Sequence, residues 1–243
     1  MEAPLVEIDD GWDYKVLILD GGWVLRIPRH RLALEELEKE IELLSAIADR
    51  LPVEVPRFAH VSREPRFVVY PLIRGSRFSD EDPQGVRAFL DALHAISPDE
   101  APAPRPDWLE TYRGQADEFR RVVLPLLDPG ERARGEALLA EVETLTGFAP
   151  ALTHSDLGPE HLLVDEGRLV GVIDWGDARI GDPALDYAWL LNVPFPDWEV
   201  DEELRRRALV YHRLGPWFEV HYGVFTEQPD WVRSGLAGIR SRL

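Results

Sequence analysis

The chain has 243 residues, enough to bury a full hydrophobic core as one large domain or two lobes, and its 45% hydrophobic and 30% charged content is that of an ordinary globular protein. A formal net charge of −18 argues against nucleic acid as a partner, because binding phosphate backbones requires a basic surface. There are no cysteines, which excludes disulfides, thiolate metal sites and a cysteine nucleophile. The segment MEAPLVEIDD lacks the order of a signal peptide, and no apolar run approaches the roughly 20 residues that span a bilayer, so a cytoplasmic location without membrane contact is expected.

In chain order, YKVLILD and WVLRIP are β-rich and joined by Gly21-Gly22, which predicts a hairpin. RLALEELEKEIELLSAIADRL predicts a long helix. Its apolar stripe is Leu34, Leu37, Ile41, Leu44, Ala48 and Leu51, and Pro52 and Pro56 terminate it. RFVVYPLIRG predicts a strand. Residues 80–147 predict three helices, in DPQGVRAFLDALHAI, DWLETYRGQADEFRRVVLPLL and GERARGEALLAEVETL, separated by proline-rich breaks. A second hairpin, HLLVDEG with RLVGVIDW, follows. The chain from Ala184 onward predicts further helices around NVPFPDWEVDEE.

The second hairpin carries the chemistry. The stretch LTHSDLGPEHLLVDEGRLVGVIDWGDARIGDP places His154, Asp156, His161 and Asp174 between short apolar runs. Acids and imidazoles are costly to bury, so this grouping points to a shared ligand. Phosphoryl transfer needs a carboxylate beside the acceptor hydroxyl and a divalent ion held on the nucleotide phosphates. In the kinase pattern, H-x-D is followed five residues after its Asp by one metal ligand, and D-F-G supplies another. Here His161 lies five residues after Asp156, and Asp174-Trp175-Gly176 follows the next strand.

With these motifs the chain resembles the aminoglycoside and macrolide phosphotransferase family, most specifically over residues 152–190 and in element order over 8–76. The resemblance implies an α+β, two-lobed protein-kinase-like fold. Residues 1–73 would form a small antiparallel-sheet lobe with one long helix, and 74–243 a larger, mainly helical catalytic and substrate-binding lobe. The hinge would fall at about 70–76. It further implies an enzyme that moves the γ-phosphate of ATP or GTP, with Mg2+, to a hydroxyl of a small molecule, an aminoglycoside or macrolide antibiotic. Carried over by position, Asp156 would orient or accept the hydroxyl proton. His161, standing where the family more often has Asn, and Asp174 would be the metal ligands. Ser155 stands where Gly is usual, and His154 would tie the loop to neighbouring backbone.

The small lobe carries the nucleotide expectations. Kinase-like enzymes hold the phosphates with a strand lysine paired to a helix glutamate. This chain has Arg26 there, with Lys15 as the competing candidate. Among the helix acids Glu40 lies nearest the apolar stripe at about 100° per residue. DDGWDYK would be the turn over the nucleotide. Within VVYPLIRG, the base would bond to the Pro71 carbonyl and the Ile73 amide, and the Tyr70 ring would crowd adenine and favour guanine.

Asp182 and Asp186 are expected to be structural, Arg179 to pair with an acid, and Trp217, Phe218, Tyr222 and Trp231 to lie in the core. Trp198 with Asp197, Glu199, Asp201, Glu202 and Glu203 is either a platform for a cationic substrate or an acidic helix start. Two alternatives stand beside the phosphotransferase: a metal-dependent hydrolase built on the same His/Asp cluster, and a non-catalytic nucleotide-binding relative.

Overall fold

The computed structural model describes residues 6–8, 13–79, 81–192 and 200–243. The fold is α+β and kinase-like. The chain forms two compact units, one holding the chain up to Pro104 with Ala151–Ile180, the other Arg105–Pro150, Gly181–Asn192 and 200–243 among the described residues.

In the first unit, β1 (Val6–Ile8), β2 (Tyr14–Leu19), β3 (Trp23–Pro28), β4 (His60–Arg63) and β5 (Arg66–Pro71) make an antiparallel sheet in the order β1-β2-β3-β5-β4. Gly21 and Gly22 both have positive φ, 87° and 80°, which is why the β2–β3 turn takes glycines. The long helix α1 (Arg31–Ile47) is capped by His30, whose Nδ1 accepts from the Ala33 amide. Its buried line differs from the expected stripe: Ala33, Leu37, Glu40, Leu43, Leu44 and Ile47 are buried, while Leu34 and Ile41 are only partly so. The buried face is rotated by about one residue, and this places Glu40 on its midline. The helix also stops at Ile47, a 3-10 turn at Ala48–Arg50 filling the space before Pro52. Tyr14, Val24, Ala33, Leu37, Val68 and Tyr70 form the core between sheet and helix.

Strand β5 ends at Pro71, short of the predicted Gly75. Beyond it β6 (Ser76–Arg77) and α2 (Pro83–His94) follow, α2 capped by Asp82. The strand β7 (Ala151–Thr153) leads into the second hairpin, β8 (Leu162–Asp165) and β9 (Arg168–Val172). Strand order there is β6-β8-β9, and β10 (Arg179–Gly181) pairs with β7. Strands β1, β4 and β6 had no sequence signal of their own, being short and without apolar alternation.

In the second unit, α3 (Trp108–Val122) and α4 (Pro129–Val142) are the second and third predicted helices. The helices α5 (Ala184–Leu190), α6 (Glu202–Phe225) and α7 (Pro229–Arg242) complete it. Asp201 caps α6 by accepting from the Leu204 amide at 3.1 Å, and Glu202 and Glu203 occupy its first turn, where carboxylates suit the helix dipole. This supports the helix-start reading for those residues; Asp197, Trp198 and Glu199 lie outside the described residues. Of the four aromatics expected in the core, Trp217 is fully buried, but Phe218 and Trp231 are largely exposed.

Asp182, fully buried, anchors this unit. It accepts from the Ala184 amide (3.0 Å), from Arg207 Nε (2.7 Å) and Nη2 (3.2 Å), and from the Tyr211 hydroxyl (3.1 Å). Its charge is fully compensated, and losing the guanidinium would strand it. Arg207→Ala is therefore expected to lower unfolding free energy by about 3–5 kcal/mol in denaturant titration. A loss below about 1 kcal/mol would contradict the assignment.

Candidate active site

Alternation along β3 turns Val24 and Arg26 toward α1. Arg26 and Glu40 are both buried, and Arg26 Nη1 donates to Glu40 Oε1 at 2.9 Å. The structure thus brings together the arginine and the glutamate that the sequence singled out. Lys15 points elsewhere: its ammonium is exposed and pairs with Glu7 at 2.7 Å. Burial, the largest single influence, works against the Arg26 charge, but Glu40 together with Tyr70, Asp174 and Tyr14 outweighs it and raises the guanidinium pKa well above its ordinary value. Arg26 Nη2 has no hydrogen-bond partner among the described residues and lies 3.8 Å from Asp174 Oδ1.

From Asp174 the site continues through His161 to Asp156. His161 Nε2 is 3.7 Å from Asp174 Oδ2, and His161 Nδ1 is 3.6 Å from Asp156 Oδ2. The five side chains Glu40, Arg26, Asp174, His161 and Asp156 therefore form one continuous line inside the first unit. The β8–β9 hairpin returns the chain from the loop holding His161 to Asp174, and Arg26 on β3 with Glu40 on α1, more than a hundred positions earlier, meets them there.

The backbone around this line is constrained. Ser155 (φ 70°) and Asp174 (φ 64°) both adopt the left-handed conformation, which non-glycine residues seldom take outside sites that over-determine it. Glycine at position 155 would meet that requirement without strain. Ser155 is instead tied by a 2.8 Å hydroxyl contact to Thr153, which in turn donates to the Arg179 carbonyl at 3.0 Å. His154 is fully buried, its Nε2 3.0 Å from the Ile173 carbonyl. Trp175 packs edge-on against His154 and Phe89 and donates from Nε1 to the Val172 carbonyl. These contacts fix both ends of the loop pair, so that Asp156 and Asp174 are aimed by buried neighbours.

The residues fit a divalent ion held on phosphates. His161 Nδ1 lies 2.6 Å from the Asp156 carbonyl oxygen, which makes Nδ1 a donor and leaves Nε2 facing Asp174 as the nitrogen that a metal would take. His161 Nε2 and Asp174 Oδ2, 3.7 Å apart, would be the pair to hold one divalent ion, which would neutralise phosphate charge there. Imidazole is a softer donor than an amide oxygen. Among the described residues no group of three or more His, Cys, Asp or Glu could enclose a metal unaided. Two protein ligands suit an ion whose remaining positions are filled by phosphate and water.

The site is strongly acidic beyond these groups. Asp13, Glu36 and Asp177 add to the field of Asp174, and the Glu36 carboxyl is pushed up to about 7 by burial, then by Asp177 and Asp13. Asp156 is likewise pushed up to about 7, mainly by burial, with His161 opposing and Asp177 and Asp174 adding. For His161, burial disfavours the charge, but Asp174 and Asp156 outweigh it and raise its pKa. Tyr14, Glu36, Asp13 and Asp177 are not singled out by the sequence, although Asp13 and Tyr14 lie in DDGWDYK and Asp177 follows Asp174-Trp175-Gly176. A polar residue on the inward face of β2 was the available signal for Tyr14.

At the expected hinge, Leu72 donates to the Gly22 carbonyl (2.8 Å) and Val24 pairs with Tyr70. Alternation then turns the Pro71 carbonyl away from β3. Ile73 is buried against Gly171. Tyr70 is buried, its ring edge-on to Phe58, and the Arg26 charge opposes the upward push that burial gives its hydroxyl pKa. Arg179 pairs with Asp177 at 2.9 Å. Of the expected nucleotide turn DDGWDYK, residues 9–12 lie outside the described residues.

The fold and this line of side chains define a kinase-like phosphotransferase. The profile of the phosphotransferase enzyme family matches residues 5–221, and the chain belongs to that family. It is 30% identical over 227 residues to viomycin phosphotransferase of Streptomyces vinaceus, covering 83% of this chain and 75% of the relative. Among solved structures, the GDP and kanamycin complex of APH(2")-IIia superposes with a TM-score of 0.89 at 24% identity, covering 98% of this chain and 92% of that one. The macrolide 2'-phosphotransferase MphH from Brachybacterium faecium gives 0.75 at 26%, covering 97% and 91%.

A carboxyl whose pKa is raised by folding lowers stability as pH climbs from its unfolded to its folded pKa. Because Asp156 binds its proton more tightly folded than unfolded, stability falls between about pH 4 and 7 and the deficit persists above. Asp156→Asn is therefore expected to melt higher than wild type at pH 8 and alike at pH 4, in the absence of nucleotide. A lower melting temperature at pH 8 would show that the carboxylate is stabilising there.

Proposed function

We propose that the chain transfers the γ-phosphate of GTP or ATP to a hydroxyl of an aminoglycoside or macrolide antibiotic. The observation that carries this reading is the unbroken line from Glu40 through Arg26, Asp174 and His161 to Asp156. The relatives support the acceptor class: one is a viomycin phosphotransferase, one was solved with kanamycin and GDP, and one is a macrolide 2'-phosphotransferase. The carboxylates of Asp177, Asp174 and Glu160 around Asp156 favour a cationic acceptor.

In this reading Asp156 accepts the hydroxyl proton as that oxygen bonds to phosphorus and the bond to the β-phosphate oxygen breaks. A carboxyl poised near neutrality suits the task. Arg26 Nη2, which makes no hydrogen bond among the described residues, receives a phosphate oxygen, with Glu40 holding the guanidinium in place. His161 Nε2 and Asp174 would hold Mg2+, which when bound would neutralise phosphate charge. The Pro71 carbonyl and Ile73 amide meet the base, Tyr70 borders it, and residues 70–76 act as the hinge between a nucleotide lobe (1–73) and a catalytic lobe (74–243). The enzyme works in the cytoplasm on soluble substrates. No helix among the described residues is long and apolar enough to cross a membrane.

The test is phosphate transfer to kanamycin, viomycin and a macrolide, each with ATP and with GTP. Asp156→Ala is expected to keep its melting transition and lose transfer about 10²–10⁴-fold. A variant that keeps near-full rate would remove Asp156 from the reaction, and activity needing zinc but no nucleotide would favour the hydrolase.

A further inference from the structure

Arginine in place of the strand lysine is the chain's main departure from the kinase pattern, and its surroundings give a reason for it. In the sheet register Arg26 stands opposite Val16 on β2 and Val68 on β5. Its diagonal neighbours on those two flanking strands are Tyr14 and Tyr70, both buried on the same face. The guanidinium carbon lies 4.0 Å from the centroid of the Tyr14 ring, in stacking range. The Tyr14 hydroxyl donates to the Ala33 carbonyl at 2.9 Å, which pins the ring between β2 and α1. On the other flanking strand Tyr70 lies diagonally beside Arg26 and is coupled to its charge, and Glu40 takes Nη1.

We infer that Tyr14 and Tyr70 are positioning residues that clamp the Arg26 guanidinium so that Nη2 is the donor left for phosphate, and that this clamp requires arginine at position 26. The inference rests on the proposed role of Arg26 and deepens it. A flat guanidinium can stack on one ring, bond to a carboxylate and meet a hydroxyl at the same time. An ammonium on a flexible stem offers a point charge and no plane, so it cannot hold all three and still present a fixed donor. Tyr70 thereby acts through Arg26 on the phosphates.

Two measurements on the full chain test this. The first, independent of catalysis, is the arginine side-chain 15N–1H NMR spectrum. In the wild type the Arg26 guanidinium protons should be shifted upfield by the Tyr14 ring and resolved individually because rotation is hindered. Tyr14→Phe keeps the ring and should keep the upfield shift, Tyr14→Leu should lose it, and Tyr70→Phe should merge the resolved signals. Wild-type signals that are averaged and unshifted, or a Tyr70→Phe spectrum identical to wild type, would overturn the clamp.

The second is steady-state transfer to kanamycin with GTP. Tyr70→Phe and Arg26→Lys should each raise the GTP KM at least about tenfold, leaving the kanamycin KM within twofold. An Arg26→Lys variant with wild-type constants would overturn the requirement for arginine. If the wild type transfers phosphate to no acceptor, the proposed function fails, and the NMR spectrum still decides the clamp.

Discussion

A guanidinium buried among carboxylates is the interaction on which the site depends. The chain carries 45 acidic and 27 basic residues, and acids crowd near the reacting groups: Asp174 and Asp177 act on Asp13, on Glu36 and on Asp156. A triphosphate entering such a field would be repelled unless fixed positive charge met it. Among the described residues of the first unit, Arg26 is the buried cation, and it is kept charged by Glu40 despite its burial. A divalent ion on His161 and Asp174 would supply the rest. One ion pair between β3 and α1 thus sets where phosphate can sit.

That pair imposes its demands on the local fold. Removing either partner would leave the other charged and uncompensated, so the register of β3 and the rotation of α1 are both held by chemistry as well as packing. At the other end of the line, Ser155 and Asp174 hold backbone conformations that cost of order 1–3 kcal/mol each. The bonds of Thr153, His154 and Trp175 offset that cost. Strain and buried polar contacts gather at the two loops that aim the acids, while the second unit is organised separately, around Asp182 with Arg207 and Tyr211.

Much of this was legible in the sequence because it depends on spacing. Asp156 and His161 share one loop, and Asp174 returns after a hairpin whose two strands and turn are unmistakable, so their approach follows from chain geometry. Glu40 was legible as an inward acid, although the line was read one residue out of phase: Leu34, Ile41 and Leu51 were taken into the stripe, whereas Ala33, Leu43 and Ile47 are in it. The reason is that a charged residue on the buried midline blurs an apolar pattern. Strands β1, β4 and β6 escaped because edge strands of two to four residues are defined by their partners. The exposure of Phe218 and Trp231 escaped because aromatic identity does not say which side of α6 and α7 faces inward. The tyrosines beside Arg26 needed the sheet register, which places residues 14, 26 and 70 together and which no single segment contains.

The most direct measurement of the central claim is electron spin-echo spectroscopy of Mn2+ bound with GTP to the full-length protein. The account predicts modulation from one directly coordinated imidazole nitrogen, abolished in His161→Asn while the ion remains bound. A spectrum lacking that nitrogen in the wild-type complex, or unchanged by the substitution, would contradict the convergence of His161 and Asp174 on the nucleotide's cation.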